Sequence, residues 1–279
     1  MNKILIALDD GHGTETPGKR TPYISEIGRH IKENEFNKHV VNLLAAELTR
    51  CGFGVLLVAP TDADTPLAVR VKKANDAGAD AYVAIHYDGF DGKFDGYDPE
   101  GNTVFYSTGS TKGKKLAECI GEFLKQGTTQ RWRGVKSANY YVLKHTKMPA
   151  ILSENGFMDN KREALLMIDM TFQLEVAQEH AKGICKYFGV KYVAAGTQKP
   201  LTNKPATATP NAVMGTVKVI VDKLNYYDGP RWTKPVGTVR KDTILTVVGK
   251  ELVEGVYQYK LKSGTYITAS PKFVKFTAK

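Results

Sequence analysis

Apolar residues follow two different rhythms along the chain, and the change falls near residue 194. Before it, short apolar runs alternate with longer stretches in which apolar residues recur every three or four positions, as in a helix. The runs predict strands at 3–8, 54–59, 81–86, 104–107, 141–143 and 150–154, and the longer stretches predict helices at 35–49, 67–77, 112–125 and 161–188. Such alternation is typical of an α/β domain with a mostly parallel sheet flanked by helices.

The last part of the chain has only short apolar runs, separated by Gly, Pro, Asp and Ser. They predict strands at 216–221, 224–227, 244–248, 256–261, 265–269 and 273–276, and together a small all-β barrel. Between the two patterns, segment 194–212 is rich in Ala, Thr, Pro and Asn and lacks aromatic residues, which is typical of a linker. We therefore predict domains at 1–193 and 213–279, joined by a linker at 194–212.

The net charge of +10 is unevenly distributed. Residues 1–193 contain 25 Lys and Arg against 24 Asp and Glu, whereas residues 213–279 contain 12 against 5. The basic C-terminal part is suited to an anionic partner, such as nucleic acid, teichoic acid or another cell-wall polymer, although a solvated surface would look the same.

Neither the cysteines nor the N-terminus indicates a secreted or membrane protein. Cys51, Cys119 and Cys185 lie in helix-like apolar patterns, so we expect buried free thiols and no disulfide framework. The apolar run at 4–8 is too short for the hydrophobic core of a signal peptide, and Asp9 and Asp10 follow it directly. No apolar run reaches transmembrane length.

Polar residues that suit metal chemistry follow three predicted strands. His12 comes after the first strand, while His86 and Glu154 each end a later one. Ligand sites in open α/β sheets lie at the carboxyl ends of strands, so these residues should converge, and Glu33 before the first helix is a fourth candidate. Two His and one Glu form a common catalytic zinc set, and a further carboxylate can move a proton. Each residue taken alone has an ordinary structural explanation, such as a charge at a helix start.

Four motifs, in this order across about residues 3–190, resemble the zinc N-acetylmuramoyl-L-alanine amidases of the amidase-3 type: DDGHG, KENEFNKHVVNLLAAEL, LAVRVKKANDAGADAYVAIHYDG and RGVKSANYYVLKHTKMPAILSENGFMDNKREA. These enzymes include bacterial autolysins and phage endolysins, and their fold is an α/β sheet flanked by helices. The resemblance implies hydrolysis of the amide that joins muramic acid to L-alanine in bacterial peptidoglycan.

By position, the resemblance implies Zn²⁺ as cofactor with His12, Glu33 and His86 as ligands, and Glu154 as the catalytic glutamate. The family's ligand Glu stands four residues before an Asn at the head of the first helix, and Asn37 matches that Asn. Two other acidic residues remain alternatives for this ligand, Glu26 and Glu35. The chain departs from the family pattern at Asp10, where Pro or a small residue is usual, and at Asp88, where Asn is usual.

Arg70 and His180 have simpler expected roles. We expect Arg70 to form an ion pair on the surface or at the end of its helix, and His180 to be structural or solvated.

The C-terminal part resembles a bacterial SH3-like cell-wall-binding domain, through VDKLNYYDGPRW and TYITASPKFVKF. Aromatic and basic residues alternate there, which suits stacking on sugars or peptides and also describes proteins that bind single-stranded nucleic acid. Beside a wall hydrolase, we expect the partner to be a cell-wall polymer and not nucleic acid.

Without a signal peptide, a phage endolysin is favoured over a secreted autolysin. We expect a monomer that is made in the host cytoplasm and acts at the cell wall after release. The alternatives are a bacterial autolysin, a wall-binding protein with an inert body, and a zinc peptidase or deacetylase that cleaves another bond.

Overall fold

The computed structural model describes residues 3–194, 213–227, 229–230, 235–253 and 256–279. The chain divides into two compact units, residues 1–198 and residues 199–279. Each unit has a hydrophobic core of its own. In this described part of the chain, no helix has the length and apolar character that crossing a membrane requires.

Strands and helices alternate through the first unit. In chain order they are β1 (Leu5–Asp9), α1 (Glu33–Arg50), β2 (Gly54–Leu57), α2 (Leu67–Asp76), β3 (Ala81–Asp88), β4 (Asn102–Ser107), α3 (Thr111–Gly127), β5 (Trp132–Ala138), α4 (Tyr141–His145), β6 (Ala150–Phe157), α5 (Lys161–Leu166) and α6 (Met170–Phe188). The sequence explains α3 well, because Ser110 caps its first turn by accepting a hydrogen bond from the Gly113 amide (3.0 Å). The buried Leu116, Ile120 and Leu124 then recur every four residues along one face.

The strands form one mixed sheet in the order β2-β1-β3-β6-β4-β5. All neighbours are parallel except β4 and β6, so the predicted, mostly parallel α/β fold is confirmed. Alternate residues of the central strands enter two different cores. One core packs against α1, α3 and α6, and the other packs against α2 and α4. Helices therefore cover both faces, and the carboxyl ends of β1, β3 and β6 form one edge of the sheet.

The predicted strand at 141–143 is wrong, because those residues belong to the short helix α4. Three apolar residues are too few to distinguish one helical turn from a strand. The sequence pattern also missed β5, an outer strand of the sheet with a largely polar, partly exposed sequence. The three cysteines are buried and free, as expected.

The second unit contains β-strands and, within its described residues, no helix. The strands are β7 (Gly215–Val219), β8 (Lys223–Tyr227), β9 (Pro235–Arg240), β10 (Ile244–Val253), β11 (Val256–Leu261), β12 (Tyr266–Thr268) and β13 (Val274–Ala278). Their pairings are antiparallel, in the order β13-β7-β10-β11-β12-β8-β9. The predicted small all-β region is confirmed, although β9 was not predicted. The predicted linker lies mostly outside the described residues.

Candidate metal centre

Three candidate ligands from distant parts of the sequence meet at the sheet edge. His12 follows β1, Glu33 is the first residue of α1, and His86 lies near the end of β3. Each offers one ligand atom, and these atoms lie within 4.8 Å of one another. The two imidazole rings meet edge to face, with ring centres 5.0 Å apart. This spacing is compatible with a single metal ion bound by all three side chains.

The two oxygens of the buried Glu33 carboxylate have different surroundings. Oε1 accepts hydrogen bonds from the His86 ring (Nδ1, 3.0 Å), the Tyr87 amide (3.1 Å) and the Asn37 side chain (3.1 Å). Oε2 has no hydrogen-bond partner among the described residues and lies 3.4 Å from His12 Nε2. Although burial alone raises the pKa of Glu33, the hydrogen bond and charge of His86 lower it to about 2. One anionic oxygen is therefore free for a cation.

The same hydrogen bond determines the tautomer of His86. An ionised carboxylate can only accept, so His86 Nδ1 carries a hydrogen. Burial lowers the pKa of His12 to about 4, which keeps this imidazole neutral at pH 7. Two imidazoles and one carboxylate oxygen without a hydrogen-bond partner form a donor set that Zn²⁺ prefers. The residues present therefore fit a zinc ion.

The other two acidic candidates lie elsewhere. Glu26 is exposed and pairs with Lys161 (2.5 Å). Glu35 pairs with Arg29 (2.9 Å) and accepts a hydrogen bond from the Lys32 amide (2.9 Å). Glu33 is the acidic residue that the structure places with the two histidines.

Glu154 lies directly beside the candidate metal ligands. In the pairing of β3 with β6 it is the register partner of His86. Its Oε2 has no hydrogen-bond partner among the described residues. Burial, followed by the negative charges of Glu33 and Asp88, raises the pKa of Glu154 well above its usual value. Glu154 therefore holds a proton more tightly than an ordinary carboxylate.

These side chains open into one cavity of about 540 Å³. His12, His86 and Glu154 line it on the metal side. Beyond them, the wall is formed by the half-exposed Leu67 of α2, by Tyr141 and Val142 of α4, and by Pro66 and Tyr140, which directly precede these helices. Sequence reasoning did not identify Lys19, whose ammonium also lines the cavity and lies 3.8 Å from Glu33 Oε2. The volume lies in the range of cavities that bind small ligands or part of a larger molecule.

Arg70 forms an ion pair, as expected, but its predicted location at the surface is wrong. It is 1% exposed and pairs with Asp9, which also accepts a hydrogen bond from Tyr82. Its second guanidinium nitrogen donates to the His12 carbonyl (3.3 Å) and to Asp64 (3.0 Å). A buried charge needs such partners, and here they connect α2 to the loop that carries His12.

His12 has a strained backbone, with φ at +57°. This left-handed conformation costs a non-glycine residue about 1–3 kcal/mol and persists only where the surroundings hold it. Gly11 before it also has a positive φ, of +38°, and a Cβ at that position would lie 2.4 Å from the His86 ring. Glycine is therefore required where this loop touches His86.

An α/β sheet that brings His, Glu and His together beside a free Glu is typical of metal-dependent hydrolases. Comparison with known proteins identifies the kind of hydrolase. Residues 6–186 match the family described as N-acetylmuramoyl-L-alanine amidase. The chain belongs to this family.

Individual relatives agree with this assignment. The endolysin of Bacillus phage SPP1 is 33% identical over 279 residues, which cover 97% of each chain. The N-acetylmuramoyl-L-alanine amidase LytC of Bacillus subtilis is 31% identical over 185 residues, 66% of this chain and 35% of LytC. The N-acetylmuramoyl-L-alanine amidase structure from Clostridium difficile 630 superposes with a TM-score of 0.61 at 27% identity, covering 68% of this chain and 98% of the other. The predicted enzyme class and the resemblance to a phage endolysin are therefore confirmed.

The C-terminal unit has a less informative match. Residues 210–274 match DUF5776, a domain family of unknown function. The SH3-like interpretation of this unit stays a prediction.

Proposed function

We propose that this amidase is zinc-dependent, with His12, Glu33 and His86 as zinc ligands and Glu154 as the group that moves the proton. The proposal is carried by two observations: Glu33 lies with His12 and His86 at ligand distance, and His12, His86 and Glu154 line one cavity. Glu33 Oε2 and Glu154 Oε2 are both free of hydrogen bonds to the described residues. A zinc ion held there supplies Lewis-acid polarisation of a carbonyl oxygen and lowers the pKa of water.

Glu154 takes up a proton from the water that attacks the carbonyl carbon of the lactyl–L-alanine amide. Its raised pKa allows it to hold that proton until the C–N bond breaks, and then to transfer it to the departing nitrogen. The products are a muramic acid carboxylate and a peptide with a free L-alanine amino group. Meanwhile Asn37 and the Tyr87 amide hold Glu33 in place through Oε1.

Digestion of purified peptidoglycan tests the reaction. We expect new L-alanine amino termini without new reducing ends, and about one zinc per chain in the purified protein. New reducing ends without amino termini would contradict amide cleavage. Full activity after chelation to a metal-free state would contradict the role of zinc.

We further propose that the C-terminal unit binds a cell-wall polymer. Its basic composition, with 12 Lys and Arg against 5 Asp and Glu in residues 213–279, supports an anionic component of the wall. By analogy with the SPP1 endolysin, we propose synthesis in a host cytoplasm and action at the wall after release. We also propose that the protein is a monomer. Analytical ultracentrifugation of the purified chain tests the proposed monomeric state, and the mass of a dimer would contradict it.

A further inference from the structure

The side chain of Asn34 holds the loop that carries His12. Its Nδ2 lies 3.0 Å from the Asp10 carbonyl oxygen, 3.0 Å from that of Gly11 and 3.1 Å from that of His12. The residue is 1% exposed. An amide group has two hydrogens for these three acceptors, so at least one hydrogen is shared. One side chain therefore binds three successive peptide units of the loop.

The three carbonyls also determine which way the Asn34 amide points. With the amide reversed, Oδ1 would face three carbonyl oxygens at about 3 Å, which is repulsive, so the nitrogen must face the loop. In this orientation Oδ1 is buried and has no hydrogen-bond partner among the described residues. A buried amide with an unpartnered oxygen is costly, which indicates that the three donated bonds are what Asn34 provides.

The position of Asn34 connects the loop to another candidate ligand. It follows Glu33 directly in the first turn of α1, and Asn37 in the next turn donates to Glu33 Oε1 (3.1 Å). The beginning of α1 therefore supports Glu33 through one amide and His12 through the other. His86 is affected too, because Gly11 of the same loop lies against its ring.

We propose that Asn34 is a positioning residue that sets the zinc affinity of the site by keeping His12 in its left-handed conformation; this rests on the proposed zinc centre. Without the three hydrogen bonds, His12 relaxes toward ordinary backbone angles, and its Nε2 moves away from Glu33 Oε2. Asn34 is neither one of the three candidate ligands nor one of the residues that line the cavity. Loss of a residue that orients a ligand typically weakens metal binding about 10- to 100-fold.

The test compares zinc affinity in the full chain and in Asn34→Leu, which keeps the size of the side chain and removes its donors. The matched control is Asn42→Leu, two turns later on α1 and half-buried. Zinc affinity is measured on metal-free protein by competition with a fluorescent chelator, and thermal stability is measured on the same samples. Asn34→Leu should bind zinc about 10- to 100-fold more weakly than the parent, whereas Asn42→Leu should match the parent. Turnover on a soluble muramoyl peptide should recover as zinc is raised to saturation.

If Asn34 only stabilises the fold, the zinc measurement should give a different result. The metal-free Asn34→Leu protein would then be less stable but would bind zinc as tightly as Asn42→Leu, and this outcome would overturn the proposal. If Asn34→Leu does not fold, Asn34→Ser, which keeps one donor, is judged by the same criterion. A parent chain that binds no zinc would instead refute the proposed metal centre.

Discussion

The two units of this protein differ in whether charged side chains are buried in the fold or exposed at its surface. The first unit buries Glu33, Arg70 and Glu163, each in contact with specific partners. In the described part of the second unit, the buried polar residues are the uncharged Gln258 and Thr268, and the ion pair of Lys218 with Asp242 is exposed.

This difference indicates what each unit is suited to do. A buried charge is costly unless its partners are fixed, and fixed partners give the precise geometry that catalysis requires. Exposed charges act over longer distances, cost little and are screened by salt. We therefore expect the first unit to carry out the chemistry and the second to provide attachment.

The largest effect should follow from Glu154→Gln, which keeps the shape of the side chain but removes its ability to take up a proton. Hydrolysis of a soluble muramoyl peptide should fall about 10³-fold, within the range typical of a lost general base. Release of L-alanine amino termini measures it.

Wall binding by Glu154→Gln should be unchanged, because the second unit is untouched. The control is Glu122→Gln, which removes an exposed partner of Lys186 and should leave turnover at the parent level. Parent-like turnover in Glu154→Gln would show that another residue moves the proton.

Arg70→Met and Lys218→Met compare a buried charge with an exposed one. Removing Arg70 leaves the Asp9 carboxylate buried without its partner and should lower the free energy of unfolding of the first unit by about 3–5 kcal/mol. Removing Lys218 breaks an exposed pair and should change the free energy of unfolding of the second unit far less.

Each unit is followed separately during urea unfolding by hydrogen exchange of its backbone amides. Peptides from residues 3–194 report on the first unit, and peptides from residues 256–279 report on the second. Equal losses in the free energy of unfolding for the two substitutions would contradict the proposed difference between buried and exposed charges.

Acid should destabilise the first unit through His180. Burial lowers its pKa to about 4, so the imidazole is neutral in the fold, bonded to the Val176 carbonyl (2.7 Å) and Ser153 Oγ (2.9 Å). The unfolded chain takes up this proton near pH 6.5. Stability is therefore fully present above pH 6.5 and falls by about 3 kcal/mol as the pH drops to 4.

His180→Gln isolates this contribution. Urea unfolding at pH 7 and pH 4, with chelator present throughout, should show a smaller loss of stability in the variant than in the parent. The same pH dependence in both proteins would assign the acid sensitivity to other groups.

The smallest effect concerns attachment. A chain limited to residues 1–198 should bind purified walls about tenfold more weakly, a difference of about 1.4 kcal/mol, while its turnover on soluble fragments is unchanged. Salt should weaken the binding of the full chain, since screening acts on exposed charges. Co-sedimentation with walls measures both, and equal binding by the shortened chain would contradict targeting by the second unit.

The fold class could be predicted because strands buried on both faces are short continuous apolar runs, whereas helices repeat apolar residues every three or four positions. His12, His86 and Glu154 could be selected because each interrupts an apolar pattern at a strand end. The apolar pattern alone does not distinguish Glu33 from Glu35. The spacing to Asn37 in the family resemblance favoured Glu33, and the structure places the Glu33 carboxylate with the two histidines.

Other features depend on contacts that no local pattern contains. Arg70 is buried because of Asp9, 61 residues earlier in the chain, whereas a charged residue in a helix is usually exposed. Asn34 looks like an ordinary polar residue near a helix start, and its role depends on three carbonyls more than 20 residues away.

The buried cysteines have a consequence for maturation. Burial and the neighbouring Cys51 raise the pKa of Cys185 to about 12, so its reactive thiolate is scarce at neutral pH. All three cysteines are free, so the fold contains no disulfide that reducing surroundings could break. Folding of this chain therefore needs neither an oxidant nor a disulfide isomerase.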